Sequence, residues 1–201
     1  GTIQEGYGMS IFSAIKKGDR LHIRNLLIAD PAIANLRNSD GYNSTPLHEA
    51  SSVGDLETVK LLLENKSDIN AQDKMGWTPL HVAANNGNVD ICLLLIEAGA
   101  DLEASDELGY TPLHEAASWG HINVVELLCQ RDANLDAIDK KGWTPLHYAA
   151  SKGRCAIVKS LLENGASIDI SDNSGETPLS LAYKGGVMSV AGIIDAHIQK
   201  K

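Results

Sequence analysis

The sequence predicts an all-α solenoid: six stacked helix-turn-helix units joined by β-hairpin-like turns, the first and last unit acting as caps. Three observations predict it. TPLH recurs at Thr45, Thr78, Thr111 and Thr144, TPLS follows at Thr177, and every interval is 33 residues. A fixed period of that size marks stacked supersecondary units. A glycine stands nine residues after each of these Thr (Gly54, Gly87, Gly120, Gly153, Gly186), and an Asp precedes each turn (Asp40, Asp73, Asp106, Asp139, Asp172) with a Gly soon after it (Gly41, Gly76, Gly109, Gly142, Gly175).

Each unit follows one physical plan. The Thr hydroxyl caps a helix N-terminus, and the Pro fills a first-turn position that needs no N–H. Small residues such as Ala83-Ala84, Ala116-Ala117 and Ala149-Ala150 let neighbouring first helices approach closely. The glycine nine residues on can turn left-handed and end the helix. A second helix carries Val, Ile and Leu at helical spacing. One such pair cannot bury its apolar stripe alone, so the units must stack.

The capping unit, residues 9–41, holds a degenerate copy, with Ala14–Asp19 (AIKKGD) matching Ala50–Asp55 (ASSVGD) and Leu26-Leu27 matching Leu62-Leu63. Its Lys16, Lys17, Arg20 and Arg24 suit an outer face. The full repeats span residues 42–172. The first has a longer turn, with Tyr42, Asn43 and Ser44 before the motif Thr, and a second helix built on Leu56, Val59, Leu62 and Leu63. The second and fourth end in Gly99-Ala100 and Gly165-Ala166, whereas Lys66 and Asp132 take that glycine slot in the first and third. A left-handed backbone at those two non-glycine residues costs about 1 kcal/mol. The third repeat uses Ile122, Val125 and Leu128, and the fourth departs from the pattern at Ser160 and Ile170. The closing cap, residues 173–201, has TPLS for TPLH, a last helix from about Val187, and Lys200-Lys201 at its end. Gly1–Gly8 reads as a vector remnant or disordered segment before a native start at Met9, and everything after it as a single domain.

Of 201 residues, 43% are hydrophobic, and 17 basic against 26 acidic side chains leave a formal charge of -9. That is ample for a core and unfavourable for phosphate backbones, so nucleic acid is excluded as a partner. No apolar run reaches the roughly 20 residues a membrane helix needs, and the opening residues lack a secretion signal. Cys92, Cys129 and Cys155 form no CxxC and fall in apolar helical patterns, which suits buried thiols in a reducing compartment. The expected setting is intracellular, cytoplasm or nucleus, for a monomer.

No constellation points to catalysis. His48 and His114 begin HEA, but Ser52 and Ser118 stand where a zinc-protease helix needs its second His. Cys92 and Cys129 lie in second helices while the motif histidines start first helices, which leaves no nucleophile pair. No phosphate loop is present. No metal, cofactor or catalytic residue is expected.

These motifs, TPLH, the paired glycines and the Asp-led turns, make the chain resemble the ankyrin-repeat family from Ser10 onward. The resemblance implies that His48, His81, His114 and His147 bridge the turn backbone to the helix start. It also implies a non-catalytic scaffold that binds a partner protein or peptide on a concave groove and hairpin tips. The residue before each motif Thr lies near those tips: Trp77, Tyr110, Trp143 and, across the longer turn, Tyr42. Trp119, late in its first helix, falls on the same face. Large rigid aromatics suit a protein interface, although Trp77 and Trp143 equally suit packing on the neighbouring turn. Trp119, in a slot that usually faces solvent, favours the contact reading. Lys74, Glu107, Lys140, Lys141, Asn86 and Lys152 surround the patch as further contact candidates, and the acidic balance of the chain favours a basic partner segment. Each turn Asp holds its own backbone.

Two alternatives share the same motifs: a recruiting or targeting domain of a larger enzyme or ubiquitin ligase, and a gankyrin-like assembly chaperone. The second resemblance lies in Leu26–Ala34 and Thr177–Gly186, in a chain one repeat shorter. LLENKSDIN resembles the helix-end segment that asparagine hydroxylases modify, which makes Asn70 a modification candidate; the plain reading is that Asn70 closes a turn.

Overall fold

The computed structural model describes residues 9–200; the segment before Met9, read above as a vector remnant, lies outside the described residues. The chain divides into two compact units, one running to Ala83 and taking in Asp90–Asp101, the other comprising Ala84–Val89 and the chain from Leu102 onward.

In the first unit, α1 (Ile11–Lys17) and α2 (Arg20–Ala29) form the capping pair, followed by a 3-10 turn at Pro31–Asn35. Next come α3 (Pro46–Val53) and α4 (Leu56–Glu64), then most of α5 (Pro79–Asn85) and of α6 (Val89–Glu97). The second unit holds three helix pairs: α7 (Pro112–Trp119) with α8 (Ile122–Gln130), α9 (Pro145–Ser151) with α10 (Cys155–Glu163), and α11 (Pro178–Lys184) with α12 (Met188–Ile198). No strand occurs among the described residues. The all-α repeat class is therefore as the sequence predicts.

The local causes are also as predicted. Thr45, Thr111, Thr144 and Thr177 cap their helices in an extended conformation with Pro at the first position. Gly54 and Gly120 close α3 and α7 in the left-handed region, where Gly carries no Cβ penalty. Lys66 and Asp132 do sit left-handed, each at φ 60°, as does Asn43 in the long first turn at φ 59°.

Within the second unit α7 packs on α9 and α9 on α11, while α8 packs on α10 and α10 on α12. Ala116, Ala117, Ala149, Ala150 and Ala182 are buried along the first row, and Leu128, Ile157, Leu161 and Ile194 along the second. In the first unit α1 packs on α3 as well as on α2. Here one expectation changes: Lys16 and Arg20 do not simply face outward. Arg20 bridges Asp55 at 2.9 Å and Lys16 reaches Glu49 at 3.8 Å, so both tie the cap to the next repeat.

Candidate functional site: the face of turns and first helices

The motif histidines are structural, and their chemistry is fixed by the backbone. In His48, His114 and His147, Nδ1 accepts the N–H of the motif Thr at 3.1–3.2 Å. A nitrogen that receives an N–H carries no proton, so the proton sits on Nε2. From there it is donated to the carbonyl of Trp77 (2.8 Å), Trp143 (2.9 Å) and Glu176 (3.1 Å), respectively. Each bridge thus runs forward into the turn of the following repeat. Burial, partly opposed by that carbonyl, holds the three imidazoles below their usual pKa. In the closing repeat Ser180 takes the His slot, receives the Thr177 N–H at 2.8 Å and donates to Glu176 at 2.6 Å.

The turn aspartates hold their own backbone. Oδ1 of Asp73 accepts the N–H groups of Met75 and Trp77, Asp106 those of Leu108 and Tyr110, Asp139 those of Lys141 and Trp143, and Asp172 those of Ser174 and Glu176, all at 2.8–2.9 Å. Successive turns are stitched together: Lys74 N–H donates to Tyr42 O, Lys140 N–H to Leu108 O, and Asn173 N–H to Lys141 O. Within each unit the turns that carry predicted contact residues are therefore pinned by backbone hydrogen bonds.

In the first unit Tyr42 is 59% exposed, Lys74 is exposed, and Trp77 is half-buried with its ring stacked on His81. In the second unit Tyr110, Trp143 and Tyr148 form one aromatic cluster, with Tyr148 5.3 Å from Tyr110 and 4.8 Å from Trp143 between ring centres. The Trp143 indole N–H donates to Asp172 of the next turn at 2.8 Å. For Trp143 packing on the neighbouring turn is thus a fact, and the ring is not free as a lone contact residue would be. Tyr148 donates to Asp139 at 2.7 Å and shares a 2.5 Å hydrogen bond with the Tyr110 hydroxyl. Burial, with those two partners, pushes the Tyr148 pKa upward, so the phenol stays protonated. Sequence reading missed Tyr148 because only its register against Tyr110 and Asp139 marks it out.

Trp119 lies apart from this cluster at the far end of α7, about 10 Å of helix rise from Pro112. It is 59% exposed, the most exposed Trp of the three. Its indole N–H donates to Glu115 at 3.2 Å, and Asn85 Nδ2 donates to the same oxygen at 3.0 Å. Glu115 is only 4% exposed, and burial raises its pKa. Glu107, Lys140, Lys141, Asn86 and Lys152 are all exposed, and the Lys141 ammonium stands 6.0 Å from the Trp143 ring.

Asn70 does more than close its own turn. Its Oδ1 accepts the Asp101 N–H at 2.9 Å, and Glu103 and Asp136, at the same repeat position, accept the N–H of Asn134 and Ser167 at 2.8 Å each. Sequence alone could have flagged this 33-residue series of acceptors. Of the cysteines, Cys92 is fully buried with its thiol pKa pushed up to about 12, whereas Cys129 and Cys155 are part-exposed, contrary to the expectation that all three are buried. No cluster of three or more His, Cys, Asp or Glu suited to a metal occurs among the described residues.

A family model described as "Ankyrin repeats (3 copies)" matches residues 11–106, 68–139, 101–172 and 136–199. Among curated proteins, a probable E3 ubiquitin-protein ligase of Oryza sativa subsp. japonica, XBOS33, is 41% identical over 69 residues, 34% of this chain and 13% of that protein. Ankyrin repeat and SAM domain-containing protein 6 of Rattus norvegicus is 39% identical over 77 residues, 38% of this chain and 8% of its own length. The probable 26S proteasome regulatory subunit p28 of Saccharomyces cerevisiae is 49% identical over 45 residues, 22% of this chain and 20% of that one. The chain spans a fifth or less of the length of these relatives.

Proposed function

The chain belongs to the ankyrin-repeat family, and from that premise we propose that it is a non-catalytic interaction scaffold. It holds a partner protein or peptide against the face built by α7, α9, α11 and the turns before them; in the first unit, Tyr42, Lys74 and Trp77 are contact residues of that unit's own turns. Trp119 carries the reading. A large aromatic 59% exposed at the end of a well-packed helix has little packing to do there, and burying it in an interface desolvates much area at small entropic cost. Absence of catalysis is supported by occupancy: both ring nitrogens of His48, His114 and His147 are committed to backbone or Thr partners, and burial disfavours the reactive thiolate of Cys92. The formal charge of -9 supports a partner other than nucleic acid. No helix among the described residues is long and apolar enough to cross a membrane. The protein acts as a monomer inside the cell, in cytoplasm or nucleus.

A second reading, a recruiting domain within a ubiquitin-ligase or proteasome-associated protein, is favoured by the likeness to the rice ligase and the yeast p28 subunit. The length of the full gene separates it from a free-standing scaffold.

Affinity capture from extract with mass-spectrometric identification tests the contact face. Trp119→Ala is expected to lose the specific partner with only a small fall in melting temperature, because Glu115 loses one 3.2 Å bond and keeps the one from Asn85. Retention of every partner by that variant overturns the assignment. Trp143 is unsuitable for this test, because its bond to Asp172 makes loss of packing and loss of contact inseparable.

A further inference from the structure

The turns led by Asp139 and Asp172 and α11 enclose a cleft of about 510 Å³, lined by Lys140, Lys141, Trp143, Asp172, Leu181 and Lys184. Its volume falls in the range of ligand-sized clefts, and its three lysines outnumber its two carboxylates, Asp172 and Glu176, in a chain whose net charge is -9. We propose that this cleft binds an acidic peptide segment carrying one large apolar residue. The proposal rests on the interaction-scaffold reading and names the class of partner.

Charge complementarity carries it. The carboxylates at the cleft are already committed: Asp172 receives two turn N–H groups on Oδ1 and the Trp143 indole on Oδ2, while Glu176 receives the Ser180 hydroxyl and pairs with Lys184. Their charge is thus partly offset by donors the fold already supplies. Lys140 and Lys141, by contrast, present ammonium groups at the rim, and the backbone beneath them is fixed on both sides. Lys140 N–H donates to Leu108 O, and the carbonyls of Lys140 and Lys141 accept from the side chain and the backbone of Asn173. Holding two adjacent lysines on a pinned turn reduces the ordering that binding must impose. Trp143, under the Lys141 ammonium, and the part-buried Leu181 supply the apolar wall for one large side chain. Lys152, at the repeat position that Trp119 holds one unit earlier, is exposed as well. At physiological salt the Debye length is about 8 Å, so these local charges outweigh the net charge of -9 at contact distance. An extended polyanion such as nucleic acid would spread beyond the lysines onto Glu107 and the acidic surface, which favours a short peptide.

The test is selection of a phage-displayed random dodecapeptide library on the folded protein, followed by fluorescence anisotropy with the selected peptides. Enriched sequences are expected to be acidic with one aromatic or Leu. Lys140→Glu with Lys141→Glu is expected to weaken their binding about tenfold or more, and raising salt from about 0.05 to 0.3 M is expected to weaken it too. The charge-reversed protein should in turn gain affinity for a Lys-for-Glu peptide, a gain that misfolding cannot produce. Enrichment of basic or neutral peptides lost on Trp119→Ala would overturn the acidic class and leave the scaffold reading standing. Binding insensitive to the lysine reversal, tighter binding of single-stranded DNA than of any selected peptide, or no enrichment at all would each overturn the cleft assignment.

Discussion

Acidification below about pH 6.5 is expected to destabilise the protein, and three histidines contribute to the slope. An imidazole that must receive a backbone N–H on Nδ1 cannot take up a proton there without turning that contact into a clash of two donors. Burial adds to the cost, and the folded pKa values of His48, His114 and His147 lie below the usual value. The unfolded chain therefore binds more protons than the folded one between the depressed folded pKa and the free imidazole value near 6.5. Stability from these groups is complete above about 6.5 and drains as pH falls toward the folded pKa. One such group gives at most about 1.4 kcal/mol per pH unit, so three give a ceiling of roughly 4 kcal/mol over one unit. Against a total of about 5–15 kcal/mol for a typical domain, that loss is large. Glu115 acts in the opposite sense, because burial raises its pKa and protonating it favours the folded state. Asp55, Asp172 and Glu176 are held below the carboxylate range and lose their contribution only in stronger acid, below about pH 4. Urea unfolding followed by circular dichroism at half-unit pH steps measures the slope. His114→Gln is expected to lower stability at neutral pH and to flatten the slope by its one share. A midpoint that stays flat or rises as pH falls below about 6.5 would refute the assigned tautomers and the bridges drawn from them.

Lys66→Gly and Asp132→Gly are expected to raise stability by about 1 kcal/mol each, since both residues sit left-handed where Gly carries no steric cost; thermal melting that falls instead would mean their side chains contribute more than the strain removes. Native-state titration with a thiol reagent should modify part-exposed Cys155 and Cys129 first. Cys92, buried and with its pKa pushed up to about 12, should react only on unfolding, and early labelling of Cys92 would contradict its packing.

The repeat architecture was legible in the sequence because each determinant is local. Thr and Pro start a helix, Gly ends it, and Asp ties its own turn within four residues, so the pattern at Thr111 predicts α7 without reference to anything distant. The same locality made the strain at Lys66 and Asp132 predictable from the missing glycines alone. The candidate site was legible only in part. Trp119 was identified, since an aromatic in a solvent-facing slot is anomalous in one dimension. The role of Trp143 was not, because its bond runs to Asp172, 29 residues on, and a residue's freedom depends on what the next repeat presents to it. Tyr148 eluded the reading for the same reason, whereas the acceptor series through Asn70 was open to it in the 33-residue spacing. The cleft beside Lys140 and Lys141 shows the difference most plainly: composition reported an acidic chain, whereas the tertiary structure decides which carboxylates are engaged by the turn and by Lys184 and which lysines are left to meet a ligand. Sequence by itself determined the period, the caps and the helices, which short-range hydrogen bonding and sterics dictate. Only the stacking of one repeat on the next decided which side chains are spent on the fold and which remain for recognition.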